Sequence, residues 1–198
     1  MARDMGPVLK RCRSLGVDPM VLGINKKSNR TNARAGKKVS EYGLQLREKQ
    51  KAKFIYGVLE KPFRNNFEKA QKIKEGTTGD NMLVLLELRL DNVMFRLGYG
   101  RTRKEARQIV GHKHVLVNGK RVNIPSYLIK AGDVITLKEQ SVSIQRFKDI
   151  YETTAGRVVP EWIVADTENG KINVQAIPTR EQIDVPVNET LIVELYSK

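Results

Sequence analysis

Thr102-Arg-Lys-Glu-Ala-Arg-Gln-Ile-Val-Gly-His-Lys-His-Val-Leu-Val-Asn-Gly-Lys-Arg-Val122 decides how the rest of the chain reads. Its first half predicts a helix. Thr102 and Glu105 have capping-box spacing: the threonine hydroxyl satisfies the third free amide, and the glutamate reaches back to the helix start. Ala106, Ile109 and Val110 supply an apolar face, and Gly111 predicts a left-handed end just after Val110. The second half alternates around Asn118-Gly119, a pair that tolerates positive φ at both corners of a two-residue hairpin turn. One face of this helix-plus-hairpin unit is basic. Arg101, Arg103, Lys104 and Arg107 lie on or beside the helix, Lys113 and His114 in the loop, and Lys120 and Arg121 on the hairpin. Guanidinium forks match phosphate oxygens in pairs, and a helix N-terminus adds free amide donors. Any one of these cations alone reads as a solvated surface charge. Seven Lys and Arg in two connected elements read as a phosphate-binding unit.

Outward from this unit, Asp91 to Leu97 predicts a short helix stopped by Gly98. Ser126 to Lys130 reads as a turn, and Gly132-Asp133 turns into a strand over Val134 to Leu137. Ser143 to Tyr151 has helical spacing. Trp162 to Ala165 and Lys171 to Ile177 read as strands joined by Glu168-Asn169-Gly170, and Asn188 caps a closing helix. Upstream, Ser40 caps a helix continuing to Val58 and Leu59, with Arg47, Lys49 and Lys53 on its exposed side. Pro62 starts a second helix carrying Phe63, Phe67, Ala70 and Ile73, with Arg64 on its outside. Gly76 to Gly79 breaks it, and Asp80 caps a third helix with Leu83, Leu86 and Leu90. Pro7 to Leu15 suits a short helix ended by Gly16. Asn25 to Lys38 has almost no core-forming residues and six cations: Lys26, Lys27, Arg30, Arg34, Lys37 and Lys38. Such an arm orders only on an anionic partner.

The 198 residues hold 36 Lys and Arg against 22 Asp and Glu, a formal charge of +14. The excess is divided. Residues 1–50 hold 12 basic and 4 acidic side chains, residues 51–88 hold 7 and 5, residues 89–147 hold 12 and 4, and residues 148–198 hold 5 and 9. Two strongly positive segments and an acidic tail suit a chain that grips a polyanion and leaves another side for protein.

Several functions are excluded or weakened. No run approaches the roughly 18–20 apolar residues of a membrane helix; Met82 to Leu86 stops at Glu87. The first residues lack an apolar signal core, so a cytoplasmic location is expected. The single cysteine, Cys12, excludes an intramolecular disulfide and a cysteine-cluster zinc site. His112 and His114, the only histidines, have no carboxylate or cysteine partner near them in sequence, so phosphate contact or plain surface is expected rather than metal. Gly98-Tyr-Gly100 lacks the third glycine of a nucleotide loop. No cofactor, metal, catalytic residue or small-molecule substrate is expected.

Leu90-Asp-Asn-Val-Met-Phe-Arg-Leu-Gly98, Thr102 to Arg107, Gly111-His-Lys113, Val117-Asn-Gly119 and Gly132-Asp133 together resemble the small RNA-binding module first described in small-subunit ribosomal protein four. Met1 to Pro7, Tyr42 to Gln50, Ile55 to Glu60, Phe63-Arg64 and Leu191 to Lys198 extend the resemblance to the bacterial family of that ribosomal protein over nearly the whole chain. It departs in the arm. Many members carry a zinc-binding cysteine cluster there and others Pro-Gly-Gln-His-Gly; here only Cys12 and Ala33-Arg-Ala-Gly-Lys37 stand in that region, so zinc is not carried over.

The resemblance implies an α+β fold. A helical domain over 43–88 plus 188–198 would hold an inserted RNA-binding domain over 89–187, with a core module of two helices plus antiparallel sheet over 89–150. An extended basic N-terminal arm over 1–42 would precede them. It implies direct 16S rRNA binding, nucleation of the subunit body, and an influence on accuracy with ribosomal proteins five and twelve. It also implies a place beside the messenger entry path and, in some members, repression of their own messenger. A non-ribosomal RNA chaperone or recycling factor with the same module is the alternative. The expected RNA-binding residues are Arg3, Lys10, Arg11, Arg13, Lys26, Lys27, Arg30, Arg34, Lys37, Lys38, Arg47, Lys49, Lys53, Arg64, Arg101, Arg103, Lys104, Arg107, His112, Lys113, His114, Lys120 and Arg121.

Overall fold

A computed structural model describes residues 6–26, 28–30, 39–166 and 171–197. Along the chain run α1 (Val8–Leu15), α2 (Glu41–Tyr56), α3 (Glu60–Gln71), α4 (Thr78–Glu87), α5 (Leu90–Arg96) and α6 (Arg103–Gly111). Then come β1 (Val115–Val117), β2 (Lys120–Val122), β3 (Val134–Leu137), α7 (Glu139–Val142), α8 (Gln145–Thr154), β4 (Ile163–Asp166), β5 (Lys171–Val174) and α9 (Glu189–Tyr196). The chain divides into two units, one of residues 1–83 with 184–198 and one of residues 84–183. Both divisions, at 83/84 and 183/184, lie a few residues upstream of the domain boundaries expected at 88/89 and 187/188.

In the first unit, capping fixes the helix ends. The Ser40 hydroxyl accepts from the Gly43 amide at 3.2 Å, which starts α2. The helix stops at Gly57, in the left-handed region at φ 64°, so Val58 and Leu59, expected in the helix from apolar spacing, lie beyond its end. Helix α3 begins at Glu60, which puts Pro62 in a first turn that needs no amide from it, and ends before Ile73. Thr77, not Asp80, caps α4: its hydroxyl accepts from the Asp80 amide at 3.1 Å and donates to the Asp80 carboxylate at 2.7 Å. Gly79 therefore lies inside the helix rather than in the break. Asn188 caps α9 as expected, accepting from the Thr190 amide. Helix α9 packs along α2, and Tyr196 stacks on Phe67 with ring centroids 4.7 Å apart. Within the stretch expected to be an extended arm, α1 and a 3-10 turn over Pro19–Leu22 are folded, with Cys12, Val17 and Leu22 buried.

In the second unit, α5 packs against α6. An antiparallel sheet in the order β2-β1-β3-β5-β4 pairs Val115 with Val122 and Leu137, Ile135 with Ile172, and Ile163 with Val174. Leu90, Val93, Met94, Ala106, Val110, Val115, Ile135, Ile150 and Ile172 belong to one apolar core. Asn118 (φ 50°) and Gly119 (φ 74°) make the expected hairpin corner. Asn118 Oδ1 accepts from the Val134 amide at 2.9 Å, and Nδ2 donates to Asp133 at 2.8 Å, which ties the corner to β3. The end of α6 differs from expectation. Gly111 stays helical, and Lys113 takes the left-handed position at φ 65°. The amides of His112, Lys113 and His114 close on the carbonyls of Gln108, Val110 and Ile109, which satisfies the final turn. The helix expected over 143–151 is preceded by α7, with a break at Ser143-Ile144 before α8.

Candidate nucleic-acid interface

The helical layer of the second unit is held by charges that sequence patterns place at the surface. Arg89 grips Asp91 with two bonds, Nε to Oδ1 at 3.1 Å and Nη2 to Oδ2 at 2.9 Å, and Arg107 donates to the same carboxylate at 2.8 Å. Arg96 grips Glu87 with two bonds at 3.0 and 2.8 Å, and Asn92 donates to Glu87 at 2.6 Å. Arg103 donates to Asn92 Oδ1 at 2.8 Å, and its Cζ lies 4.2 Å from the Phe95 centroid. Arg157 stands over the same ring at 4.2 Å and donates to the carbonyls of Phe95, Gly100 and Arg101. Burial, then the Arg96 charge, lowers the Arg157 pKa. Glu87 and Asp91 are 1% and 4% exposed. Five guanidinium groups thus share two carboxylates and one aromatic ring. Bidentate pairing fixes the planes of the Arg89 and Arg96 forks, and the cationic excess suits an approaching anion.

Around this frame lies an outer set. Glu105 accepts from the Arg101 guanidinium at 3.1 and 2.9 Å, from the Arg101 amide at 3.0 Å, and from Arg146 at 3.1 Å. Burial works to raise its pKa, but these donors outweigh it and hold the carboxyl down to about 2. The Thr102 cap is present, accepting from the Glu105 amide at 3.3 Å. The glutamate reaches one residue further back than a simple capping box. Lys104, His112, Lys113, Lys120 and Arg121 are exposed. His114 is half-buried, with Nδ1 2.8 Å from the Ser141 hydroxyl and its ring edge-on to Phe147 at 5.3 Å. Burial first, then the charges of His112, Lys138 and Arg146, lowers its pKa.

In the first unit, Lys10, Lys26, Arg30 and Arg64 are exposed, Arg64 with Glu68 at 3.3 Å. Arg11 lies over the Phe54 ring at 5.4 Å, and Arg13 and Arg47 are half-buried. Lys49 and Lys53 pair with Glu60 at 3.0 and 2.6 Å, and the Tyr196 hydroxyl donates to Glu60 at 3.0 Å. Burial opposes ionisation of Glu60, yet these three donors bring its pKa to about 2; burial and then Glu60 raise that of Tyr196. Burial raises the Cys12 thiol pKa, as does the Asp18 charge. Arg3, Lys27, Arg34, Lys37 and Lys38 lie outside the described residues. Sequence reasoning missed Arg89, Arg96, Arg146 and Arg157. The Arg89-Leu-Asp-Asn92 run carried a signal for the first of these; Arg157, far from its partners in sequence, carried none. Among the described residues no group of three His, Cys, Asp or Glu is placed to hold a metal, and no helix is long and apolar enough to cross a membrane.

A helix pair sharing one core with an antiparallel sheet, with cations fixed in the helical layer and exposed on the hairpin, defines a basic α+β nucleic-acid-binding module. Residues 88–135 match the S4 domain family, and residues 3–87 match the ribosomal protein S4/S9 N-terminal domain. Over the full length of both chains, the sequence is 76% identical to the small ribosomal subunit protein uS4 of Lachnoclostridium phytofermentans. Identity is 70% and 67% to the proteins of that name from Lachnospira eligens and Agathobacter rectalis. The chain belongs to the uS4 family of small-subunit ribosomal proteins, which are structural proteins rather than enzymes.

Proposed function

We propose that this protein binds 16S rRNA directly in the cytoplasm and nucleates folding of the body of the small subunit. One observation carries the reading: buried Glu87 and Asp91 fix several guanidinium groups on α5 and α6, beside an exposed cationic hairpin. A cation that is already immobilised loses little entropy when a phosphate arrives. Such a frame recognises folded RNA by backbone and shape. The RNA-binding residues expected from the sequence stand as the proposed contact set, with a division of labour. Arg103, 7% exposed, acts by holding the frame; Arg107, half-buried, holds the frame with an edge open to RNA; Lys120 and Arg121 are exposed contacts. The acidic stretch after residue 147, with Val158 87% and Ile177 57% exposed, suits a protein neighbour, for which ribosomal protein five is proposed. An influence on accuracy with proteins five and twelve, contact with messenger at the entry path, and repression of the protein's own messenger complete the proposal.

Filter binding of 16S rRNA across a salt series tests the RNA contact. Replacing Lys120 and Arg121 with alanine lowers affinity and reduces the salt slope by about one unit for each lost phosphate contact. Unchanged affinity and slope would remove the hairpin from the interface. Retention on small subunits through a high-salt wash separates a built-in component from a transient factor.

A further inference from the structure

Between the end of α6 and the face of α8 lies a half-open cleft of about 40 Å³. Its lining is mixed in a particular order. Ile109, Phe147 and Ile150 are buried apolar residues; His112 and Arg146 are exposed; Gln108 and His114 lie between these extremes. The two imidazole rings stand 6.2 Å apart, centre to centre, and are tilted 48° to each other, so only the exposed His112 ring offers a free face. His114 is fixed by Ser141 and by its edge contact with Phe147, and Arg146 is tethered by Glu105 at 3.1 Å.

We propose that the mouth of this cleft receives the edge of one unstacked nucleobase of the bound RNA, stacked on the exposed His112 ring, with the Gln108 amide on its edge and Arg146 beside its phosphate. The inference rests on the rRNA reading and adds a base contact to an interface otherwise made of phosphate contacts. Bases splayed from loops and bulges stack on aromatic rings, histidine included, and expose edges for hydrogen bonding. A phosphate alone gains nothing from the floor of Ile109, Phe147 and Ile150. An apolar protein side chain gains nothing from the Gln108 amide or the Arg146 charge. The reversal after α6, with Lys113 in the left-handed region, places His112 and His114 on either side of the turn.

Salt-dependent filter binding of 16S rRNA to the full chain distinguishes this site from a phosphate contact. His112→Ala lowers affinity about tenfold, the scale of one lost base stack, and leaves the salt slope unchanged. His112→Tyr keeps a stacking ring and retains affinity near that of the parent protein. Gln108→Trp fills the cleft and matches the alanine variant. Parent-like binding by both His112→Ala and Gln108→Trp overturns the site, as does a slope reduced by one unit with no rescue by tyrosine. Absence of rRNA binding by the parent protein overturns the RNA reading itself and this site with it.

Discussion

The two units use the same residue type in opposite ways. In the first, Lys49 and Lys53 meet Glu60 at a half-exposed surface, while the interior relies on residues such as Phe63, Phe67 and Ile192. In the second, Arg89, Arg103 and their carboxylate and amide partners are themselves buried. An exposed pair contributes little, because water screens it and two long side chains lose freedom. A buried pair has a different asymmetry: intact, it is close to neutral, but losing one member strands a charge away from water. Loss of the half-exposed Glu60 pairs is therefore tolerated better than loss of the buried Asp91 and Glu87 pairs. That contrast separates cations that can be exchanged at an interface from cations that are part of the scaffold presenting it.

Three changes probe this contrast, from the largest effect to the smallest. Asp91→Ala removes the carboxylate that Arg89 and Arg107 share, leaves the buried Arg89 charge uncompensated, and costs about 3–5 kcal/mol in denaturant unfolding. A loss under about 1 kcal/mol would erase the distinction between the units. Lys113→Gly removes a side chain from a left-handed position and stabilises the second unit by about 1 kcal/mol. It also reduces the salt slope of rRNA binding if that lysine contacts phosphate; destabilisation would mean the Lys113 side chain supports the turn. Glu60→Gln costs under about 1 kcal/mol at neutral pH. Its pH dependence has a defined sign. The folded pKa of about 2 lies below the ordinary 4.5, so the Glu60 contribution is complete above pH 4.5 and fades as pH falls toward 2. Stability curves of the two proteins should converge over that window. A constant offset would assign the effect to packing rather than charge.

Local chemistry was legible in the sequence. Ser40, Thr102 and Asn188 cap their helices, and Asn118-Gly119 turns the hairpin, because each signal acts within a few residues of itself. Errors arose where two local rules competed. Apolar spacing ran through Val58, but Gly57 ended α2 first. Gly111 matched the rule for a helix end, yet the amides after it found carbonyls only with the reversal at Lys113. The cationic face of α6 was visible as a pattern, but its depth was not. Arginine ordinarily reads as exposed, and burying Arg103 depends on Asn92 and Phe95, which only the packing of α5 against α6 brings near. The apolar floor of the α6–α8 cleft likewise comes from residues some 40 positions apart.

The α9 contacts impose an order on synthesis. Gln45 of α2 donates to Glu194 at 3.0 Å, the Asn188 amide donates to Glu48 at 3.1 Å, and Phe67 waits for Tyr196. On a growing chain these partners emerge only after every element of the second unit has been made. The helices translated first are thus completed last, and the unit encoded in the middle has all its parts while the earlier one still lacks a wall.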